Sequence, residues 1–326
     1  MRLLVLGGTA FVGRALVEEG LRRGWEVTTF NRGRAPAVSA RVESLLGDRT
    51  RPGDLAVLDG RRWDLVADTW AGAPRAVRDA AGALRGRAAG YLYVSSRSVY
   101  RELPIGADES APVVDAAPDA EATDYAADKR GGELAALAAF GDGALLARAG
   151  LILGPHEDVG RLPWWLLRMD RGGRVLAPGP PELPLQYVDA RDLAGWLLDR
   201  GESGGAGAYD VVVERGHVTM GTLLEASRRA TGAEAELVWV EPERLLAAGV
   251  QPWDEIPVWV PPGHPYEGLH GGDVSKALRA GLRCRPVAET VVDTWAWLLA
   301  QGKQPRLRTG RRYLDPDKEA AILDGR

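Results

Sequence analysis

Leu3-Leu4-Val5-Leu6-Gly7-Gly8-Thr9-Ala10-Phe11-Val12-Gly13 decides the fold. Four consecutive apolar residues without alternation read as a strand buried on both faces. Two glycines end it, and an apolar pattern at helical spacing begins at once, with Phe11, Val12, Ala15, Leu16 and Leu21 on one side and Gly24 as the stop. A glycine turn between a first strand and a first helix lets backbone amides approach a pyrophosphate, at a helix end that favours negative charge. Gly7 permits the turn and Gly13 the close packing of helix on strand. Ala10 takes the place of the middle glycine in the usual spacing. Gly7, Thr9, Ala10, Phe11, Val12 and Gly13 are therefore candidate dinucleotide contacts. The alternative is a purely structural turn.

The same alternation continues downstream. Strands are expected over 25–30, 42–46, 64–68, 90–95 and 144–149, and helices over 73–84 and 125–140. Strand and helix in turn predict an α/β fold, a doubly wound parallel Rossmann-type sheet. From Gly154 on, prolines are frequent and the pattern is less regular. A strand is expected over 209–213 and a helix over 222–231. The organisation expected is a dinucleotide-binding domain over 1–153, with 186–213 returning to it. Residues 154–185 and 214–301 would form a smaller substrate domain, and 302–326 a C-terminal tail. The basic run of that tail, Lys303, Arg306, Arg308, Arg311 and Arg312, reads as solvated.

Composition narrows the class. The 326 residues are 45% hydrophobic and 26% charged, an ordinary globular balance. A net charge of −4 argues against a protein that coats nucleic acid. The lone Cys284 excludes an internal disulfide and any multi-cysteine metal site, and four histidines make a His-rich metal site a poor reading. No apolar run approaches the roughly 20 residues of a membrane helix, and the glycine-interrupted start is unlike a signal peptide. The expected location is the cytoplasm, with a small molecule as partner and neither membrane nor nucleic acid.

The second strand's end selects the dinucleotide. An NAD site generally places a carboxylate there for the ribose hydroxyl. Here Phe30-Asn31-Arg32-Gly33-Arg34 has none, and arginines suit a phosphate. NADP(H) is therefore expected over NAD(H), with Asn31, Arg32 and Arg34 as contacts. After the third strand, Asp48 is a candidate acceptor for the adenine amino group, and Arg49 a second phosphate ligand.

The chemistry sits at Tyr125-Ala126-Ala127-Asp128-Lys129. Residues at i and i+4 share a helix face, so phenol and ammonium can reach one ribose. A free phenol is a poor base at neutral pH, and a nearby cation favours its ionised form. Eight tyrosines and four lysines in this chain would give such a pair about 0.1 times by chance. Ser95-Ser96 ends the fifth strand, where active groups of open α/β sheets gather. The Ser96 hydroxyl can donate to a substrate oxygen, with Ser95 as the fallback.

These motifs occur in one order with Arg148-Ala149-Gly150-Leu151 and Gln186-Tyr187-Val188-Asp189. Together they resemble the extended short-chain dehydrogenase/reductase superfamily, the NAD-dependent epimerase/dehydratase family, over residues 1–286. The likeness is closest to an atypical, actinobacterial-type branch of GC-rich bacteria. The resemblance implies Ser96, Tyr125 and Lys129 as the catalytic set, and a nicotinamide pocket lined by the segment carrying Ala149 and Leu151. It implies Asp273 to Ala277 as a late segment before the final helix. It makes a homodimer through the helices at 73–84 and 125–140 plausible. Two departures stand out. Ala149 replaces the usual proline, and Thr69-Trp70 lie where H-x-A-A is common, so both are candidate cofactor contacts, with Trp70 expected to press on the cofactor or to restrict the pocket. Arg97-Ser98 after Ser96 lack the acidic pair of the dehydratases. The tryptophans of the second half suit a stacked substrate or plain core. The leading expectation is an NADP(H)-dependent reductase of a carbonyl or related C=X group on a small metabolite. The alternatives are a nucleotide-sugar epimerase with tightly bound NAD, or a non-catalytic NADP-binding regulator or RNA-binding protein.

Overall fold

A computed structural model describes residues 1–305, 307 and 313–325, the Pro52 side chain excepted. The first half alternates as its apolar runs dictate: β1 (Arg2–Leu6), α1 (Phe11–Arg22), β2 (Glu26–Asn31), β3 (Glu43–Leu46), β4 (Trp63–Asp68), α2 (Pro74–Leu84), β5 (Ala88–Ser96), α3 (Tyr125–Phe140) and β6 (Ala144–Ala149). The second half adds β7 (Leu151–Leu153), α4 (Arg161–Asp170), β8 (Gly173–Pro178), β9 (Pro184–Leu185), β10 (Tyr187–Asp189), α5 (Ala190–Glu202), β11 (Gly207–Val211), β12 (Val218–Thr219), α6 (Met220–Thr231), β13 (Ala235–Val240), α7 (Pro242–Ala247), α8 (Ser275–Arg279), α9 (Val287–Ala300) and α10 (Pro316–Leu323).

Seven strands form one parallel sheet in the order β11-β6-β5-β4-β1-β2-β3. Both of its faces are covered. Helices α1 and α5 pack on one, burying Leu16, Val17, Leu193 and Leu197. Helices α2 and α3 pack on the other, against Tyr91 and Tyr93. The strand order reverses between β1 and β4, which opens a crevice at their C-terminal ends.

A second core gathers α4, α6, α9, β8 and β13. Three of the tryptophans prove to be packing: Trp165 and Trp259 are buried in this core, and Trp196 of α5 is buried against the main sheet. The C-terminal segment also packs inward where it is described. The buried Glu319 of α10 accepts Arg168 Nε at 2.8 Å and the Leu176 amide at 3.0 Å. Arg306, Arg308, Arg311 and Arg312 lie outside the described residues. Among the described residues no helix is long and apolar enough to cross a membrane. Nor do three or more His, Cys, Asp or Glu side chains meet to hold a metal ion.

Candidate active site

A cleft of about 490 Å³ runs along the C-terminal ends of β1, β4, β5 and β6. One end is the start of α1, where Ala10, Phe11, Val12 and Gly13 line the wall. Gly7 and Gly8 turn the chain at φ +120° and +93°, conformations open to glycine. A Cβ on Gly13 would lie 2.7 Å from the Gly8 amide nitrogen, so glycine is required for this approach. No side chain caps α1. Its first-turn N–H groups therefore lack partners inside the helix and face the cleft. An uncapped helix start under a glycine turn fits the pyrophosphate of a dinucleotide. Thr9 is half-buried in the turn and does not line the cleft. Thr69 does, its hydroxyl donating to Leu6 O at 3.3 Å.

The second strand's end is arranged around Asn31. Its amide donates to Thr29 Oγ1 at 3.1 Å, and its oxygen accepts the Gly33 N–H at 2.8 Å. Arg32 and Arg34 are exposed and do not line the cleft. Asp48 is half-buried, and its carboxyl sits below the usual range because the Thr50 hydroxyl and amide donate to it. Arg49 points elsewhere than expected. It is buried, donates from two nitrogens to both oxygens of Asp68, and lies beneath the Trp70 ring. That commitment leaves its guanidinium unavailable as a phosphate ligand, and corrects the expectation from sequence. Trp70 is correspondingly turned onto Arg49 and is absent from the cleft wall. Its carbonyl oxygen serves the site instead.

That oxygen accepts Lys129 Nζ at 2.5 Å, and Val94 O accepts the same ammonium at 2.7 Å. Lys129 is thereby held between β4 and β5. Helix α3 comes close enough because Gly132 lies against Tyr93, where a Cβ would be 2.3 Å from the phenol oxygen. Asp124 caps α3, accepting the Ala127 amide at 2.9 Å. Tyr125, at the first turn, is half exposed and lines the cleft. Ser96 faces it from the end of β5. The Ser96 hydroxyl oxygen accepts the Ser98 amide at 3.1 Å, and its proton has no acceptor among the described residues. Ser95 donates to Glu133 at 2.7 Å, so its proton is committed. Ala149 and Leu151 complete this part of the wall. Asp158, Arg161 and Trp253 also line the wall, with the Arg161 guanidinium over the Trp253 ring at 5.5 Å.

Sequence reasoning missed the buried charges behind the serines. Glu133 is fully buried on α3, one turn after Lys129, and takes two bonds from Arg148 at 2.9 and 3.0 Å. Arg148 also donates to Tyr100, whose hydroxyl donates to Asp210 at 2.7 Å. Asp210 pairs with Arg97 at 3.1 Å, and burial pushes its carboxyl up to about 6 against the pull of Arg97. The available signal was an acid at 133 on the helix face that carries residues 125 and 129.

A switch-point cleft, an uncapped helix start and a tyrosine–lysine pair opposite a strand-end serine define a Rossmann-type nucleotide-binding enzyme. The model of the NAD dependent epimerase/dehydratase family matches residues 3–206, and the chain belongs to that family. The sequence matches no curated protein. Among solved structures, the chain is similar to the Bordetella bronchiseptica enzyme WbmG in complex with NAD and UDP. Identity is 18%, with 94% of this chain and 97% of that one covered, at a TM-score of 0.69. It is similar to WbmH of the same organism in complex with NAD⁺, at 16% identity, 92% and 99% coverage and a TM-score of 0.69. It is similar also to Thermus thermophilus UDP-glucose 4-epimerase complexed with NAD, at 21% identity, 91% and 99% coverage and a TM-score of 0.64.

These findings overturn two expectations. The family is the NAD-dependent one, and the three similar structures hold NAD. The NADP(H) reading, drawn from Arg32 and Arg34, is therefore corrected, in keeping with the exposure of both side chains outside the cleft. With it falls the reading as an NADP(H)-dependent carbonyl reductase.

Proposed function

We propose that the chain is an NAD-dependent epimerase of a nucleotide sugar. The carrying observation is that one cleft joins the start of α1, the Ser96–Tyr125–Lys129 set and the Arg161–Trp253 pair. A dinucleotide against α1 and a second ligand with a cationic and an aromatic contact thus share one space. The enzymes it resembles, which carry NAD with UDP or act on UDP-glucose, support the reading.

Gly7, Gly8, Gly13 and the first-turn amides would hold the pyrophosphate. Lys129 would hold the nicotinamide ribose. When bound, NAD supplies reversible hydride acceptance, which allows a carbinol carbon to be oxidised and then reduced on its other face. Tyr125 takes the proton of the reacting sugar hydroxyl and later returns it. Lys129 places a cation on the same helix face, favouring charge on the phenol oxygen. Ser96 donates its uncommitted proton to the sugar oxygen and holds it near Tyr125. Arg97 and Ser98 stand where a dehydratase would carry acids, and Arg97 is locked to Asp210, which favours epimerisation over dehydration.

The test is direct. Purified protein is denatured and its supernatant assayed for dinucleotide, and native protein is incubated with UDP-glucose and with UDP-galactose. Bound NAD and convergence of both substrates on one epimer ratio are expected. A protein free of NAD that interconverts neither of these nor their N-acetylated counterparts would overturn the reading.

A further inference from the structure

Arg97 follows Ser96 directly and is completely buried, yet it lines the cleft. Its guanidinium reaches across to the second half of the chain. Nε donates to Asp210 Oδ2 at 3.1 Å. Nη1 donates to Leu269 O at 3.0 Å and to Gln186 Oε1 at 3.4 Å, and Nη2 donates to Gly268 O at 3.3 Å. Leu269 is itself a wall of the cleft. The same Gln186 locks the next residues, accepting the Gly272 amide at 2.7 Å and donating to Gly272 O at 3.0 Å.

The fit around this guanidinium is tight. A Cβ on Gly272 would lie 2.0 Å from Arg97 Nη2. On its other side the wall is pressed by the loop at 103–107. A Cβ on Gly268 would fall 1.5 Å from Leu103 O, and the Gly106 amide donates to Gly271 O at 2.6 Å. The strip from Gly268 to Gly272 is thus clamped between a loop and one arginine. A lysine could not replace that arginine, because one ammonium offers three donors from a point and not a planar fork.

We propose that Arg97 is a specificity-setting positioning residue, which fixes the Gly268–Leu269 wall at a set distance from Ser96 and so limits the depth of the sugar pocket. The limit acts on the sugar rather than on the pyrophosphate, because Arg97 follows directly on Ser96, the residue that meets the reacting sugar oxygen, whereas the pyrophosphate lies against the start of α1. The inference rests on the nucleotide-sugar reading for the identity of the ligand, but not for the placement of the wall. Deleting the arginine outright would leave Asp210 buried without its partner and risks unfolding. Arg97→Lys keeps the charge, and Gly272→Ala keeps the arginine while intruding on its space.

The experiment has two readouts on full-length protein. Backbone amide exchange is followed over residues 266–273, and steady-state kinetics are measured with UDP-glucose and with the bulkier UDP-N-acetylglucosamine. Both variants are expected to exchange the Gly271 and Gly272 amides at least tenfold faster, with bound NAD unchanged. For UDP-glucose, KM should rise about tenfold and kcat by less than threefold, while the preference for UDP-glucose over the N-acetylated sugar narrows. Unchanged exchange in both variants would overturn the proposal. So would equal losses of kcat for both sugars with KM unchanged. If the wild type turns over neither sugar while the wall still loosens, the nucleotide-sugar reading fails and the positioning role stands.

Discussion

Arg49 and Asp68 form a two-pronged ion pair, at 2.5 and 2.7 Å, sealed beneath the Trp70 ring. Tyr91 adds a third bond, its hydroxyl donating to Asp68 at 2.5 Å. Burial raises the Asp68 carboxyl, but Arg49 and Tyr91 outweigh it and hold it below its ordinary value. Removing one partner of such a pair leaves a buried charge unmatched. Arg49→Leu is therefore expected to cost about 3–5 kcal/mol of stability, read from urea denaturation. Because the guanidinium is committed to Asp68, Arg49→Lys should lower stability while NAD binding stays within about twofold. A selective loss of NAD affinity at full stability would return Arg49 to the dinucleotide site.

Tyr125 and Lys129 share a helix face but differ in surroundings, the phenol half exposed and the ammonium buried between two carbonyl oxygens. Tyr125→Phe removes the proton carrier without disturbing the fold. Turnover should fall by about 10²–10⁴, with NAD content unchanged. Lys129→Met strips Trp70 O and Val94 O of their donor, so it should lower stability by about 1–3 kcal/mol as well and reduce NAD content. Single-turnover kinetics with dinucleotide analysis separates the two. Full turnover by the phenylalanine variant would remove Tyr125 from the chemistry.

What was legible in the sequence follows from how local each signal is. The glycine turn and the pair at 125 and 129 declare themselves because a turn needs specific residues at fixed offsets, and a helix repeats every 3.6 residues. The sheet was legible because strands covered on both faces are continuously apolar. Arg49 was misread because a loop after a strand does not reveal which way its side chain turns. The deciding partner, Asp68, lies 19 residues on in another strand. Arg32 misled for a related reason. Its residue type suits a phosphate, but type alone carries no direction, and the side chain stands outside the cleft. The second half was legible least, since its small sheets pair strands of two to six residues, too short for any period to show. There, Trp253 reaches the cleft while Trp165 and Trp259 are core, a sorting that depends wholly on tertiary packing.

Arg32 gives a sharp check on the dinucleotide. Its guanidinium is exposed and makes no hydrogen bond or ion pair among the described residues, and such a cation contributes little beyond a screened field. Arg32→Ala should change NAD affinity by less than about twofold, even in low salt where screening is weakest. Isothermal titration of protein stripped of its dinucleotide would measure this. A tenfold loss would mean that Arg32 folds onto the bound cofactor.

Glu157 offers a test by pH. It is fully buried and accepts the Arg161 amide at 2.7 Å and the Leu162 amide at 3.1 Å, closing the start of α4 beside the cleft. Burial pushes its carboxyl up from 4.5 to about 7, against the weaker pull of Arg161. A raised acid binds a proton in the folded chain that it has already lost in the unfolded one. Its contribution to stability is therefore complete below pH 4.5 and is lost as pH rises through about 7. The span corresponds to roughly 3 kcal/mol. Glu157→Gln cannot ionise, so its stability relative to wild type should improve by about that amount between pH 4.5 and 7.5. Asp210, raised to about 6, and His270, lowered to about 4 by burial, titrate in both proteins and cancel in the difference. Urea denaturation at the two pH values measures it. A flat difference would show that Glu157 ionises at its ordinary pH, and that the start of α4 opens to water.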